Sequence, residues 1–134
     1  MSDINAPLRG QMRRFIPGIA WFFIILVLIC LPGEDLPKID NWFTLIYGDK
    51  LIHVGIFALL AYLFMQPLSK TALKGYELRN FFIKIALAVA IWGLATEFIQ
   101  KYFVPGRSFD LLDFAADSIG AFLALWVSAK QFLK

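Results

Sequence analysis

Four apolar runs, at roughly 15–31, 51–66, 81–103 and 110–133, leave this chain little choice of fold. Each is about 16 to 24 residues, the second being the shortest, against the roughly 20 that an α-helix needs to cross about 30 Å of hydrocarbon. Breakers mark the ends. Pro32-Gly33 follows the first run, Pro67 the second and Pro105-Gly106 the third, while Pro17 sits near a start, where a missing N–H costs little. The expected fold is all-α: a polytopic membrane protein with four transmembrane helices in one domain, 1–134.

Composition agrees. Hydrophobic residues make up 60% of the chain, aromatics 16% and charged residues 17%, and the mean hydropathy of +0.69 lies far from soluble globular proteins. A formal charge of +3 carries no nucleic-acid signature. The basic residues are informative by position instead. With four spans, the amino-terminal tail, the second connection and the carboxyl-terminal tail share one side. That side holds Arg9, Arg13, Arg14, Lys70, Lys74, Arg79, Lys84, Lys130 and Lys134, against Lys38, Lys50, Lys101 and Arg107 on the other. Nine against four puts both termini in the cytoplasm, and the expected location is the inner (cytoplasmic) membrane. Of the acids, only Asp3 and Glu77 fall on the cytoplasmic side.

Arg9, Arg13 and Arg14 ahead of an apolar run resemble a signal peptide, yet no small-x-small cleavage pattern follows and Val27-Leu28-Ile29 before Cys30 are too large for a lipoprotein site. The run is expected to stay as a helix, with Cys30 as a packing residue. Residues 69–80 read as a solvated connection. Residues 32–48, with Trp42, Phe43 and Tyr47, read as an interfacial outer segment.

Against this oily background the stretch 96–120 stands out, with Glu97, Gln100, Arg107, Asp110, Asp113 and Asp117. Ionisable groups at membrane depth are costly unless paired or wet, so they are functional-site candidates. Asp110, Asp113, Asp117 and Gly120 follow at three, four and three, a single helical stripe, and Glu97 and Gln100 are three apart. Asp49, Lys50 and His53 share a face at the start of the second helix. At about 1.5 Å per residue, Asp117 lies roughly 10 Å below Asp110. Capping explains Asp110 and favours Asp113 in the first turn, but not Asp117 two turns in. Gly120 and Ala124 allow close helix packing.

Several chemistries are excluded. No Gly-rich phosphate loop or HExxH metal motif occurs, and no Gly-x-Ser-x-Gly elbow frames Ser108. His53, Glu97, Asp113 and Asp117 offer metal-ligating atoms, but a single histidine among carboxylates is not a metal motif, so no metal is assigned and no cofactor is named.

The order Asp49-Lys50-x-x-His53, Glu97-x-x-Gln100, then Pro105-Gly106-Arg107-x-x-Asp110-x-x-Asp113, closing with Gly120, resembles the VanZ-like family. The likeness runs from the second helix to the end of the chain. It implies a small bacterial integral membrane protein, the founding member being associated with low-level teicoplanin resistance. Two positions depart from the family pattern: Asp117 stands where Asn is usual, adding a charge deep in the site, and Phe57 where Tyr is common.

The leading expectation is a site open to the outer side that binds membrane lipids or a lipid-linked envelope precursor or glycopeptide-related ligand, and so affects glycopeptide susceptibility. Asp49, Lys50, His53, Glu97, Gln100, Arg107, Asp110, Asp113 and Asp117 are the ligand-binding candidates. Lys50 and Arg107 would grip an anionic group. The alternative is a membrane enzyme acting on a lipid-linked substrate through the same site, with His53 or Glu97 as general base and Asp113 or Asp117 as second acid/base or metal ligand. A transporter is disfavoured, because 15–31 is wholly apolar and offers no polar station.

Overall fold

A computed structural model describes residues 10–31 and 48–133. After a short 3-10 turn at Arg13–Phe15, the chain forms α1 (Ile16–Ile29), α2 (Gly48–Leu68), α3 (Gly75–Phe103) and α4 (Leu111–Phe132). No strand occurs among the described residues. All four helical stretches are long and apolar enough to cross a membrane, α1 together with its preceding turn. The protein is an all-α, multi-pass membrane protein. The aromatics Trp42, Phe43 and Tyr47 lie outside the described residues, as do Arg9 and Lys134.

The helix ends differ from expectation in two places. α3 starts at Gly75, inside the stretch expected to be a solvated connection. Gly75 takes a left-handed φ of 53° that ends the preceding loop, and Glu77 then sits in the first turn, where the helix dipole favours an acid. Pro67 does not stop α2 but lies within its last turn. The freed end carbonyls there are taken by hydroxyls: Ser69 Oγ donates to the Gln66 carbonyl and Thr71 Oγ1 to the Leu68 carbonyl, each at 2.6 Å. Pro105-Gly106 does terminate α3, and Gly106 has a φ of 75°, which a side-chain-bearing residue rarely adopts.

The packing is that of a bundle in lipid. Small residues face inward: Gly18 on α1, Ala86 and Gly93 on α3, and Ala116, Gly120, Ala121, Ala124 and Ser128 on α4 are buried. Large apolar residues such as Phe23, Val27, Ile91, Ile119 and Trp126 face outward. Water would penalise that arrangement and a bilayer does not, because close backbone approach between small residues is what holds helices together in lipid. The larger core residues, Ile25, Phe57, Leu60, Met65, Leu78 and Phe82, pack into one buried cluster.

Cross-helix contacts fix the directions. Lys50 near the start of α2 reaches Asp110 and Asp113 at the start of α4, so these helices run the same way. Glu97 near the end of α3 reaches the Asp110 backbone, so α3 is antiparallel to both. Gln100 Nε2 donates to the Ile29 carbonyl at 3.4 Å, setting the end of α1 beside the end of α3. Trp21 Nε1 donates to the Ile56 carbonyl at 3.0 Å and ties α1 to α2. The result is an alternating four-helix bundle.

α2 and α4 approach closely at Gly120. A Cβ on Gly120 would fall on the Val54 carbonyl oxygen and within 2.9 Å of the Ala58 nitrogen. Only glycine fits there, and this approach draws the first turns of α2 and α4 together.

Candidate functional site

The start of α2, the end of α3 and the start of α4 meet at one end of the bundle and stack polar groups in a column. At its mouth is Asp110, whose side chain is 40% exposed. Its Oδ1 accepts from the Leu112 N–H at 2.9 Å, capping α4. Its Oδ2 accepts from Lys50 Nζ at 2.7 Å. Both readings of Asp110 therefore hold, the cap and the network. The Lys50 ammonium beside it holds the Asp110 carboxyl below the usual carboxylate range.

One turn deeper, Lys50 Nζ also donates to Asp113 Oδ1 at 2.5 Å. Its charge is thus shared by at least two carboxylates. That revises the expected role of Lys50 as a grip for an anionic ligand, because its ammonium is already offset by protein acids.

His53 comes next, half-buried. Its Nδ1 lies 2.7 Å from Asp117 Oδ1, and its Nε2 lies 3.6 Å from Asp113 Oδ2. With an ionised Asp117, the proton sits on Nδ1 and donates to the carboxylate, which orients the ring. The imidazole also stacks parallel to Phe57 at 6.4 Å between centroids.

Asp117 closes the column. It is fully buried, pointing into the bundle as its place in the stripe requires. Gly93 makes room for it: a Cβ at Gly93 would stand 2.7 Å from the Asp117 Cβ and 3.0 Å from Oδ2. Glu97, also fully buried, approaches from α3 and accepts the Asp110 N–H on Oε2 at 3.0 Å. The second oxygen of each acid, Glu97 Oε1 and Asp117 Oδ2, is buried with no hydrogen-bond partner among the described residues.

Three candidates stand apart. Gln100 is buried but spends its amide on α1, so its part is to fasten the bundle. Arg107 donates its backbone N–H to the Val104 carbonyl at 3.3 Å, and its Nε is buried without a hydrogen-bond partner among the described residues. It forms no ion pair with Glu97 there, although Glu97 reaches the backbone only three residues beyond it. Asp49 lies in the first turn of α2, and its side chain is outside the described atoms.

Gly93 is the site residue that the sequence reading passed over. It stands four residues before Glu97, on the same helical face, and that spacing was the available clue. Taken together, among the described residues of the column, Glu97, Asp110, Asp113 and Asp117 set four carboxyl groups against the ammonium of Lys50. The column can accept hydrogen bonds, move a proton through the His53–Asp117 pair, or hold a cation. Comparison of the chain with family models, with curated proteins and with solved structures returns no match.

Proposed function

We propose that this protein binds the polar head group of an envelope lipid, or of a lipid-linked envelope precursor, in the column between α2, α3 and α4. The observation that carries the reading is the gradient of the column. It runs from exposed Asp110, through half-buried Lys50, His53 and Asp113, to fully buried Glu97 and Asp117, within a bundle whose flanks are lipid-facing. A head group anchored by its own acyl chains enters such a column from the membrane surface while its tails lie along the apolar exterior. The excess of carboxylates favours ligands rich in hydroxyls or amines, whose donors they accept, over strongly anionic ones.

Orientation belongs to the same proposal. The distribution of basic residues puts both termini in the cytoplasm and opens the column outward, in the inner membrane of a bacterium. The likeness to VanZ-like proteins supports an envelope ligand and a link to glycopeptide susceptibility. The test is mass spectrometry of lipids retained by the purified protein. A head-group lipid enriched over bulk membrane, and lost in Asp113→Asn at unchanged melting temperature, is expected. Bulk lipid composition in both would contradict the reading.

A second reading rests on one specific observation, the 2.7 Å contact between His53 Nδ1 and Asp117 Oδ1. A carboxylate-oriented imidazole is a general base in many enzymes. Turnover of an envelope lipid, abolished by His53→Gln, would favour catalysis over binding.

A further inference from the structure

The deepest part of the column has a feature that head-group binding leaves unexplained. Glu97 Oε1 and Asp117 Oδ2 are buried carboxylate oxygens without a hydrogen-bond partner among the described residues, and both side chains are fully buried. An unsatisfied buried oxygen on an acid costs more than one on a neutral group. The two acids that carry them stand beside one imidazole. An imidazole nitrogen of His53 and one carboxylate oxygen each from Glu97 and Asp117 all lie within 4.8 Å of one another.

We infer that His53, Glu97 and Asp117 bind a divalent transition cation, of the Zn²⁺ or Mn²⁺ class, at the floor of the column. Ligand atoms about 2.1 Å from a shared ion stand roughly 3 to 4 Å apart, so small side-chain rotations close the set. One nitrogen and two oxygen donors suit Zn²⁺ or Mn²⁺ better than the oxygen-only shell preferred by Ca²⁺ or Mg²⁺.

The surroundings match. Asp113 borders the set without belonging to it, its Oδ2 lying 3.6 Å from His53 Nε2. Lys50 holds the other Asp113 oxygen, and the Asp110 N–H holds Glu97 Oε2, so both acids are braced from outside the ligand set. Gly93 leaves the space in which Asp117 sits. Two positive charges would offset much of the carboxylate excess, which Lys50 alone does not. The three ligands come from three helices and from residues 64 positions apart, which is why no sequence motif announces them.

The inference stands on these atoms and not on head-group binding, and it is tested in detergent without envelope lipid. The protein is stripped with a chelator and titrated with Zn²⁺, Mn²⁺ and Mg²⁺ by calorimetry, with bound metal measured by elemental mass spectrometry. About one Zn²⁺ or Mn²⁺ per chain is expected, with Mg²⁺ much weaker, and Glu97→Gln and Asp117→Asn should weaken binding at least about tenfold. Glu77→Gln, at the other end of α3, should change nothing. Because the buried variants can misfold, Co²⁺ absorption of the folded wild type serves as an independent readout of a nitrogen–oxygen site. Wild type that takes up no ion and shows no Co²⁺ band would overturn the inference, leaving the two acids to share a proton. So would a folded Glu97→Gln that binds as tightly as wild type.

Discussion

Replacing Gly120 with alanine places a methyl group where two backbones already touch. The Cβ falls on the Val54 carbonyl oxygen and within 2.9 Å of the Ala58 nitrogen, neither of which belongs to a side chain that can rotate away. Ordinary van der Waals contact begins near 3.4 Å, and the Val54 oxygen is the nearer obstacle, so α2 and α4 must part by about 1 Å, a gap that forfeits about half of the dispersion energy along the seam. Overpacking against backbone costs about 3 kcal/mol, less about 1 kcal/mol returned by the better helix propensity of alanine. The net loss is about 2 kcal/mol. Gly55→Ala is the matched control on α2, since a Cβ there meets nothing within 4 Å, and it should gain about 0.5–1 kcal/mol. The two variants should therefore differ by about 3 kcal/mol, roughly a hundredfold in the unfolding equilibrium. The assay is SDS titration in mixed micelles, followed by circular dichroism. Equal shifts for the two, or a Gly120→Ala protein within about 0.5 kcal/mol of wild type, would refute the packing argument.

The other expectations concern the column. Gly93→Ala presses on the Asp117 Cβ and should cost about 1–3 kcal/mol, while loosening the His53–Asp117 contact; the imidazole chemical shifts of His53 would report it, and unchanged shifts would count against the geometry. Lys50 lowers the carboxyl of Asp110, so that pairing contributes stability at neutral pH and loses it as pH falls through the depressed value, below the ordinary carboxylate range. Melting temperatures of wild type and Lys50→Gln should therefore converge in acid and separate toward neutrality; a constant gap would show that the pairing does not stabilise the fold. Trp21→Phe removes the N–H donated to the Ile56 carbonyl and should cost about 1 kcal/mol in the same SDS titration, with no cost contradicting the α1–α2 tie.

Much of this fold was legible because lipid imposes a simple rule: a long apolar run must be a helix. Only the ends escaped. Gly75 and Pro67 have local solutions, a left-handed glycine and hydroxyls on end carbonyls, that hydropathy does not register. The stripe Asp110, Asp113, Asp117 was legible from its spacing, and so was the inward direction of Asp117. Pair identity was not. Nothing in the spacing says that Lys50 sits between Asp110 and Asp113, that Gln100 fastens α1, or that Arg107 stays apart from Glu97, because these depend on how helices far apart in sequence are rotated against each other. Gly93 and Gly120 set those rotations, and a glycine within an apolar run carries little meaning until its neighbour is known.

The central claim is that acids and bases from distant segments form one coupled site inside the bundle. A double-mutant cycle on His53 and Asp117 tests it most directly, using His53→Gln, Asp117→Asn and the double variant in SDS titration. Contact at 2.7 Å between an imidazole and a fully buried carboxylate predicts that the two single losses exceed the double loss by about 1–3 kcal/mol. Additive losses, within about 0.5 kcal/mol, would mean that the two residues do not interact and that the column is not one site.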